Sequence, residues 1–259
     1  MVAWISQNLF DNVVYTAQQG LLTGMKRKGG LGWVPRWVAA AAETPEERFW
    51  RSLDVSGKTV YDIGAFQGMV TLFLSRTARQ VISYEPNSTN RARLMENLKI
   101  NAVQNVRIRP FGLGAQSQVA RMVYSPLMTG GATLDGNIGA HVLQSGDAKA
   151  EDIQITTLDD DMQQEQLPGP DFIKVDVEGW ELEVLKGARM TLETASPELF
   201  LEMHGETMNE KRRKVADLVR FLTDAGYSTI LHIESGSKIS PANSSVAAEG
   251  HLYCSRAKT

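Results

Sequence analysis

The stretch Thr59–Gly68, TVYDIGAFQG, restricts the fold of this chain more than any other. A short apolar run reaches Asp62 and breaks into a loop bounded by Gly64 and Gly68, with Ala65 inside it; Val70, Phe73, Leu74 and Thr77 then recur at helical spacing. A strand feeding a glycine loop and a helix is the opening unit of an open parallel α/β sheet, and ligands bind at that junction. The glycines let backbone approach a ligand, and the helix start offers unpaired N–H groups and a partial positive charge, suited to a carboxylate or phosphate. Asp62 has the opposite preference, for hydroxyl or ammonium donors. The expected ligand therefore carries both signs.

Composition narrows the class. With 259 residues, 42% hydrophobic and 22% charged, one main globular core is expected, and a net charge of -3 disfavours a nucleic-acid surface or a polymer substrate. The lone Cys254 has no partner for an internal disulfide and reads as a small buried filler, which fits a reducing, cytoplasmic setting. The opening MVAWISQNLFDNVVYTAQQG is interrupted by Gln7, Asn8, Asp11 and Asn12, so it resembles neither a leader nor a span, and no other run is long and apolar enough to cross a membrane.

The chain divides at about residue 57. Residues 1–57 read as a mainly helical extension or lid, with a stripe of Trp4, Ile5, Leu9, Val13 and Val14 and an aromatic turn, Trp33–Trp37. Residues 58–259 read as a doubly wound, mostly parallel sheet. Its expected strands are Thr59–Asp62, Gln80–Glu85, Asn105–Phe111, Ile153–Leu158, Phe172–Val177, Pro197–His204, Tyr227–Ile233 and His251–Ser255, with an added arm at Val119–Tyr124. Helices are expected after Asn87, over Glu178–Leu192 and around Val215–Leu222, a loop over Thr129–Asp152, and a cap for a short helix from Asp159.

The loop lacks the GxGxxG turn of dehydrogenases, which leaves a nicotinamide oxidoreductase a distant alternative. One wide loop behind Asp62 suits S-adenosylmethionine, the loop and helix end taking its carboxylate and Asp62 its ammonium. Glu85, at the end of the second strand, can accept from both ribose hydroxyls. Asn87 and Gly112 complete the expected cofactor contacts, with Ala65 and Gly68 in the loop. Asp176 ends a strand facing the same crevice and is expected to touch cofactor or substrate. Glu202 and His204, two apart on a strand, present an acid and an imidazole together; His204 is the candidate base, with Glu202 or Asp176 orienting it. Asp176, Glu178 and Glu202 offer hard oxygen donors, but no spacing demands a metal, and none is expected.

The segments VYDIGAFQG, ISYEPN, TTLD, DFIKVDVEGWELEVLKGA and LFLEMHGE, in this order, resemble the FkbM-type family of S-adenosylmethionine-dependent methyltransferases over Thr59–His204, the FIKVDVEGWE block most specifically. The resemblance implies a class I, Rossmann-like sheet of seven strands with an antiparallel last strand, and methyl transfer to hydroxyls of sugars, glycolipids or polyketide-type small molecules. It also implies cofactor contacts from Asp62, Gly64 and Glu85, with Asp176, Glu178, Glu202 and His204 around the reaction crevice. A non-catalytic nucleoside-binding protein of the same fold is the alternative.

Overall fold

The computed structural model describes residues 12–29, 43–124, 132–133 and 148–257. The Trp4–Leu9 part of the expected stripe, the Trp33–Trp37 turn and most of the expected Thr129–Asp152 loop lie outside them.

The strand of the opening motif, β3 (Thr59–Ile63), is buried along its whole length, as a central parallel strand must be. It pairs in parallel with β4 (Gln80–Tyr84) on one side and β10 (Phe172–Val175) on the other. Outward from these lie β5 (Val106–Arg109) and β11 (Glu198–Glu202), both parallel. Beyond β11, β14 (His251–Ser255) runs antiparallel between β11 and β12 (Thr229–His232). The sheet order is β13-β12-β14-β11-β10-β3-β4-β5, where β13 (Ser237–Lys238) adds an eighth, edge strand to the seven expected. The last strand, expected at the apolar run HLYCS, is the antiparallel one, as the family resemblance implied. The chain leaves β3 toward β4 and β5 and later returns to β10 on its other side. That reversal opens a crevice at the carboxyl ends of the strands.

Helices cover the sheet. In α1 (Pro45–Ser52), opened by a Thr44–Glu47 capping box, Trp50 is buried with its ring 4.3 Å from that of Phe200. The loop after β3 enters α2 (Met69–Ser75), and Asn87 caps α3 (Ser88–Ile100). Thr157 begins α4 (Leu158–Gln164), and Thr207 begins α7 (Met208–Asp224), which buries Val215, Leu218, Val219 and Leu222. Where one helix was expected over Glu178–Leu192 there are two, α5 (Glu181–Lys186) and α6 (Arg189–Thr194). Glu178 and Gly179 are left-handed, at φ 52° and 97°, so the helix starts later. It breaks at Gly187, where a Cβ would lie 2.0 Å from the Gly114 carbonyl oxygen. Asp159 does cap a short helix, but not its own: its carboxylate accepts from the amides of Met190 and Thr191 at the start of α6.

Between β5 and β10 the chain builds a second sheet of β6 (Gly112–Leu113), β7 (Gln118–Tyr124), β8 (Ala132–Thr133) and β9 (Lys149–Thr156), in the order β6-β9-β7-β8. The added arm is therefore a real strand, pairing antiparallel with β9 from Gln118 opposite Ile155 to Tyr124 opposite Lys149. Lys149–Asp152, expected in a loop, extends β9.

Before β3 the described residues depart from the helical expectation. Residues 14–28 form a hairpin of β1 (Val14–Thr16) and β2 (Lys26–Lys28), and only α1 is helical. Glycines at φ 75° and 85°, Gly20 and Gly24, allow the reversal between the strands. The hairpin docks on α3, where Asn101 bonds both the amide and carbonyl of Lys26 and Asn97 accepts from the Lys28 amide. Val13 and Val14 are exposed instead of forming an apolar stripe.

Candidate active site

A cavity of about 350 Å³ opens over the carboxyl ends of β3, β4, β10 and β11. That is within the range of small-molecule sites, roughly 300–1,000 Å³. Gly64, Glu85, Gly112, Asp176 and Glu202 line it, and so do residues not singled out from sequence: Phe66, Phe111, Met122, Ile153 and Trp180. Phe66 comes from the glycine loop itself, whereas Met122, Ile153 and Trp180 mark where the second sheet and the loop before α5 close over the main sheet, a juxtaposition no local pattern announces. Among the described residues, none before β3 lines the cavity.

Glu85 sits in the wall at 5% exposure. One carboxylate oxygen accepts from the Phe66 amide at 2.7 Å and the other from the Asn87 amide at 2.9 Å. Burial pushes its pKa up to about 7, against the pull of these hydrogen bonds. Each oxygen keeps lone-pair capacity toward the cavity.

The glycine loop itself is arranged differently from expectation. The amides of Gly64 and Ala65 both donate to the Tyr84 carbonyl, Phe66 to Glu85, and Gly68 to the Ala65 carbonyl. These donors are used within the loop and do not wait for a ligand carboxylate. Gly64, at φ 79°, has no room for a Cβ, which would lie 1.8 Å from the Asp176 carbonyl oxygen; Gly68 is required by Leu94, whose Cδ1 would be 2.3 Å from a Cβ. Ala65 is buried in the core, and Asn87 is fully buried as a helix cap. Neither they nor Gly68 line the cavity.

Asp62 lies one layer below. It is fully buried, accepts from the Thr71 hydroxyl at 2.5 Å and pairs with Lys174 at 3.3 Å. Lys174 also donates to the Gly64 carbonyl at 2.7 Å and pairs with Asp176 at 3.2 Å. Burial alone would lower the lysine's pKa, but Asp176 and Asp62 overcome it and hold it raised. The acid of the opening motif is thus not among the residues that line the cavity and is linked to it through Lys174.

At the other end of the cavity four carboxylates surround one imidazole. His204 Nδ1 lies 2.9 Å from Glu181, and Nε2 lies 3.5 Å from Glu178, 3.5 Å from Glu202 and 3.7 Å from Asp176. The expected meeting of Glu202 and His204 occurs, although β11 ends at Glu202 and His204 lies behind the cavity wall. Burial disfavours a charged imidazole, yet Glu181 and Glu202 push its pKa up to about 11. A pKa shifted in this direction is unfavourable for the expected role of His204 as general base at neutral pH. Burial raises Asp176, and lifts Glu178 to about 7. Glu202 is held low in spite of burial by His204 and His251, the latter 3.7 Å away.

Beneath the wall, Arg109 grips Asp161 with two donors at 2.9 and 2.5 Å, and Tyr84 donates to the same carboxylate at 2.7 Å. The guanidinium also lies 5.2 Å from the Phe111 ring centroid, which steadies that aromatic at the cavity edge.

A sheet of this order, with its crevice at the β3–β10 reversal and an acid at the end of β4, is that of the class I methyltransferases. Comparison with known proteins is more specific: the Methyltransferase FkbM domain matches residues 62–229, and the chain belongs to that family. It is 26% identical over 226 residues to the hexuronic acid methyltransferase AglP of Haloferax volcanii, covering 81% of this chain and 86% of that protein. It is also 26% identical over 142 residues to Methyltransferase 1 of Beauveria bassiana, covering 49% of this chain and 57% of that protein. The crystal structure of methyltransferase FkbM from Methylobacillus flagellatus superposes with a TM-score of 0.51 at 20% identity, over 79% of this chain and 45% of that one. No described helix is long and apolar enough to cross a membrane.

Proposed function

We propose that this chain is an S-adenosylmethionine-dependent O-methyltransferase whose acceptor is a hydroxyl of a sugar or sugar-like small molecule. The observation that carries the reading is Glu85: a buried carboxylate, oriented by two backbone donors, at the position where a ribose diol would be bound. The cofactor's nucleoside would lie between Glu85 and the aromatic edge at Phe111, with its sulfonium toward Asp176. Gly64 then serves as a close backbone surface. The carboxylate rim of Asp176, Glu178 and Glu202 would hold acceptor hydroxyls, which accounts for a polyhydroxylated substrate, and the similarity to a hexuronic acid methyltransferase supports the same class.

With S-adenosylmethionine bound, transfer of its methyl group to the acceptor oxygen would leave S-adenosylhomocysteine, and Asp176, Glu178 or Glu202 on the rim would accept the hydroxyl proton. The cofactor supplies the reactive group. The protein holds oxygen, carbon and sulfur in line in a site shielded from water, an alignment worth roughly 7–11 kcal/mol. Proton removal contributes less, typically about 10²–10⁴-fold. Calorimetric titration with S-adenosylhomocysteine, followed by a screen of sugars with labelled S-adenosylmethionine, tests both halves. Absence of binding would overturn the cofactor assignment; binding without transfer to any hydroxyl compound would favour a non-catalytic binding protein.

A further inference from the structure

The ends of β10 and β11 bring together a ligand set whose members share one design. Asp176, Glu202 and His204 each turn one atom inward, and these inward atoms lie within 4.8 Å of one another. Each also gives its second polar atom to an outer partner. Asp176 Oδ2 is 3.2 Å from Lys174, Glu202 Oε2 is 3.7 Å from His251, and His204 Nδ1 is 2.9 Å from Glu181. Glu181 is itself fixed, buried at 3% exposure and accepting from the Gly179 amide at 2.8 Å. A carboxylate on Nδ1 sets the ring orientation and points Nε2 at the remaining acids, the outer arrangement that metal-bound histidines use.

The inner spacings point the same way. Nε2 is 3.5 Å from Glu202 Oε1 and 3.7 Å from Asp176 Oδ1. Hydrogen bonds to such a nitrogen run about 2.7–3.2 Å. Two ligands about 2.0–2.2 Å from a shared ion, at angles between octahedral and tetrahedral, stand roughly 3.0–3.6 Å apart. Both gaps exceed a hydrogen bond; the Glu202 gap falls within the coordination span and the Asp176 gap lies just beyond it. Glu178, brought back toward Nε2 by the left-handed turn at Glu178–Gly179, places a further oxygen 3.5 Å away.

We propose that Asp176, Glu202 and His204 form a site for a divalent transition-metal ion, which takes the place of the proton on Nε2, with Glu178 as a reserve fourth ligand. One imidazole nitrogen among carboxylate oxygens favours manganese or zinc over calcium. Asp176 and Glu202 face the cavity while His204 closes the site from behind, so an open coordination position looks toward the acceptor. On the methyl-transfer reading, which this proposal rests on, the ion binds the acceptor oxygen, makes its proton easier to lose to a rim carboxylate or solvent, and fixes the oxygen opposite the sulfonium.

Metal binding is measured separately from transfer. Full-length protein stripped with EDTA is titrated with manganese, following the free-ion signal by electron paramagnetic resonance, and with zinc by calorimetry. One equivalent is expected to bind. Affinity should fall at least about 10-fold in His204→Ala and Glu202→Gln, and by about 10-fold or more in the positioning variant Glu181→Gln. S-adenosylhomocysteine titration of the same variants checks that the cofactor half of the cavity is intact. Failure of the native protein to bind either ion, or unchanged affinity in His204→Ala and Glu202→Gln, overturns the site. Transfer that persists undiminished under chelation overturns its catalytic role while leaving methyl transfer standing. Stoichiometric binding without transfer to any acceptor supports the site and counts against the methyl-transfer reading.

Discussion

The two ends of the cavity are held by different kinds of partner. At the Glu85 end the backbone supplies the constraints, because the amides of Phe66 and Asn87 fix the carboxylate wherever the strand–loop–helix unit forms. At the Asp176–Glu202 end side chains do it, through Lys174 of β10, His204 just after β11 and His251 of β14. A backbone-held acid tolerates change around it and suits recognition of an invariant cofactor. An acid held by side chains depends on each neighbour's charge, so that end is more sensitive to mutation.

The sharpest way to break this contrast is Lys174→Met. It leaves Asp62 and Asp176 facing each other without their cation, and removing one partner of a buried ion pair costs roughly 3–5 kcal/mol. Urea unfolding should show the loss, and adding Asp62→Asn should restore part of it. If Lys174→Met unfolds like the native protein, the side-chain-held end has been misread. Next comes Gly64→Ala: backbone strain at positive φ alone costs on the order of 1–3 kcal/mol, and the clash with the Asp176 carbonyl adds to it. Transfer activity should fall by more than stability explains, because the added methyl pushes β10 away from the crevice.

At the backbone-held end, Glu85→Gln should weaken S-adenosylhomocysteine binding roughly 10- to 100-fold, the worth of charge-assisted hydrogen bonds at about 1.5–3 kcal/mol. Its pH dependence follows from the raised pKa. The folded pKa of about 7 lies above the ordinary carboxylate value, so the contribution of Glu85 to stability is fully present below about pH 4.5 and is lost as pH rises through 7. Ligand affinity should run the opposite way, rising through pH 7 as the carboxylate that accepts from the ribose forms, and this rise should be flat in Glu85→Gln. The smallest effect is expected from Asn87→Ala, which removes a helix cap worth about 1 kcal/mol and should leave S-adenosylhomocysteine affinity unchanged. A large loss of affinity there would show that Asn87 reaches the ligand after all.

The same division explains what could be read from the sequence. Thr59–Ile63, Gln80–Tyr84 and His251–Ser255 announce themselves as apolar runs because strands buried on both faces have to be apolar. Glu85 was legible because its position follows directly from such a run. Lys149–Asp152 was not, since the start of β9 faces solvent and its polar residues look like loop. The N-terminal hairpin is not legible because its strands, VYT and KRK, are too short to show a period, and β2 is held by Asn97 and Asn101 of α3, far along the chain. The pairing of Asp62 with a buried lysine is not legible locally, because Lys174 comes from a strand more than a hundred residues later. The raised pKa of His204 is equally hidden, because Glu181, the partner at its other nitrogen, is separated from it by 23 positions.

The strand β14 joins β11 and β12 and places His251 directly across from Glu202 in the register. During synthesis, domains form from the N-terminal side first. Glu202 is therefore made about fifty residues before its cationic neighbour, and β11 and β12 have no shared partner until that neighbour arrives. A chain cut short before His251 would keep every carboxylate of the site, yet have an open sheet edge and an acid without its outer cation. In this architecture the rim becomes competent only when the sheet is closed, so ribosome-bound or truncated chains would be poor catalysts even with the cofactor end already formed.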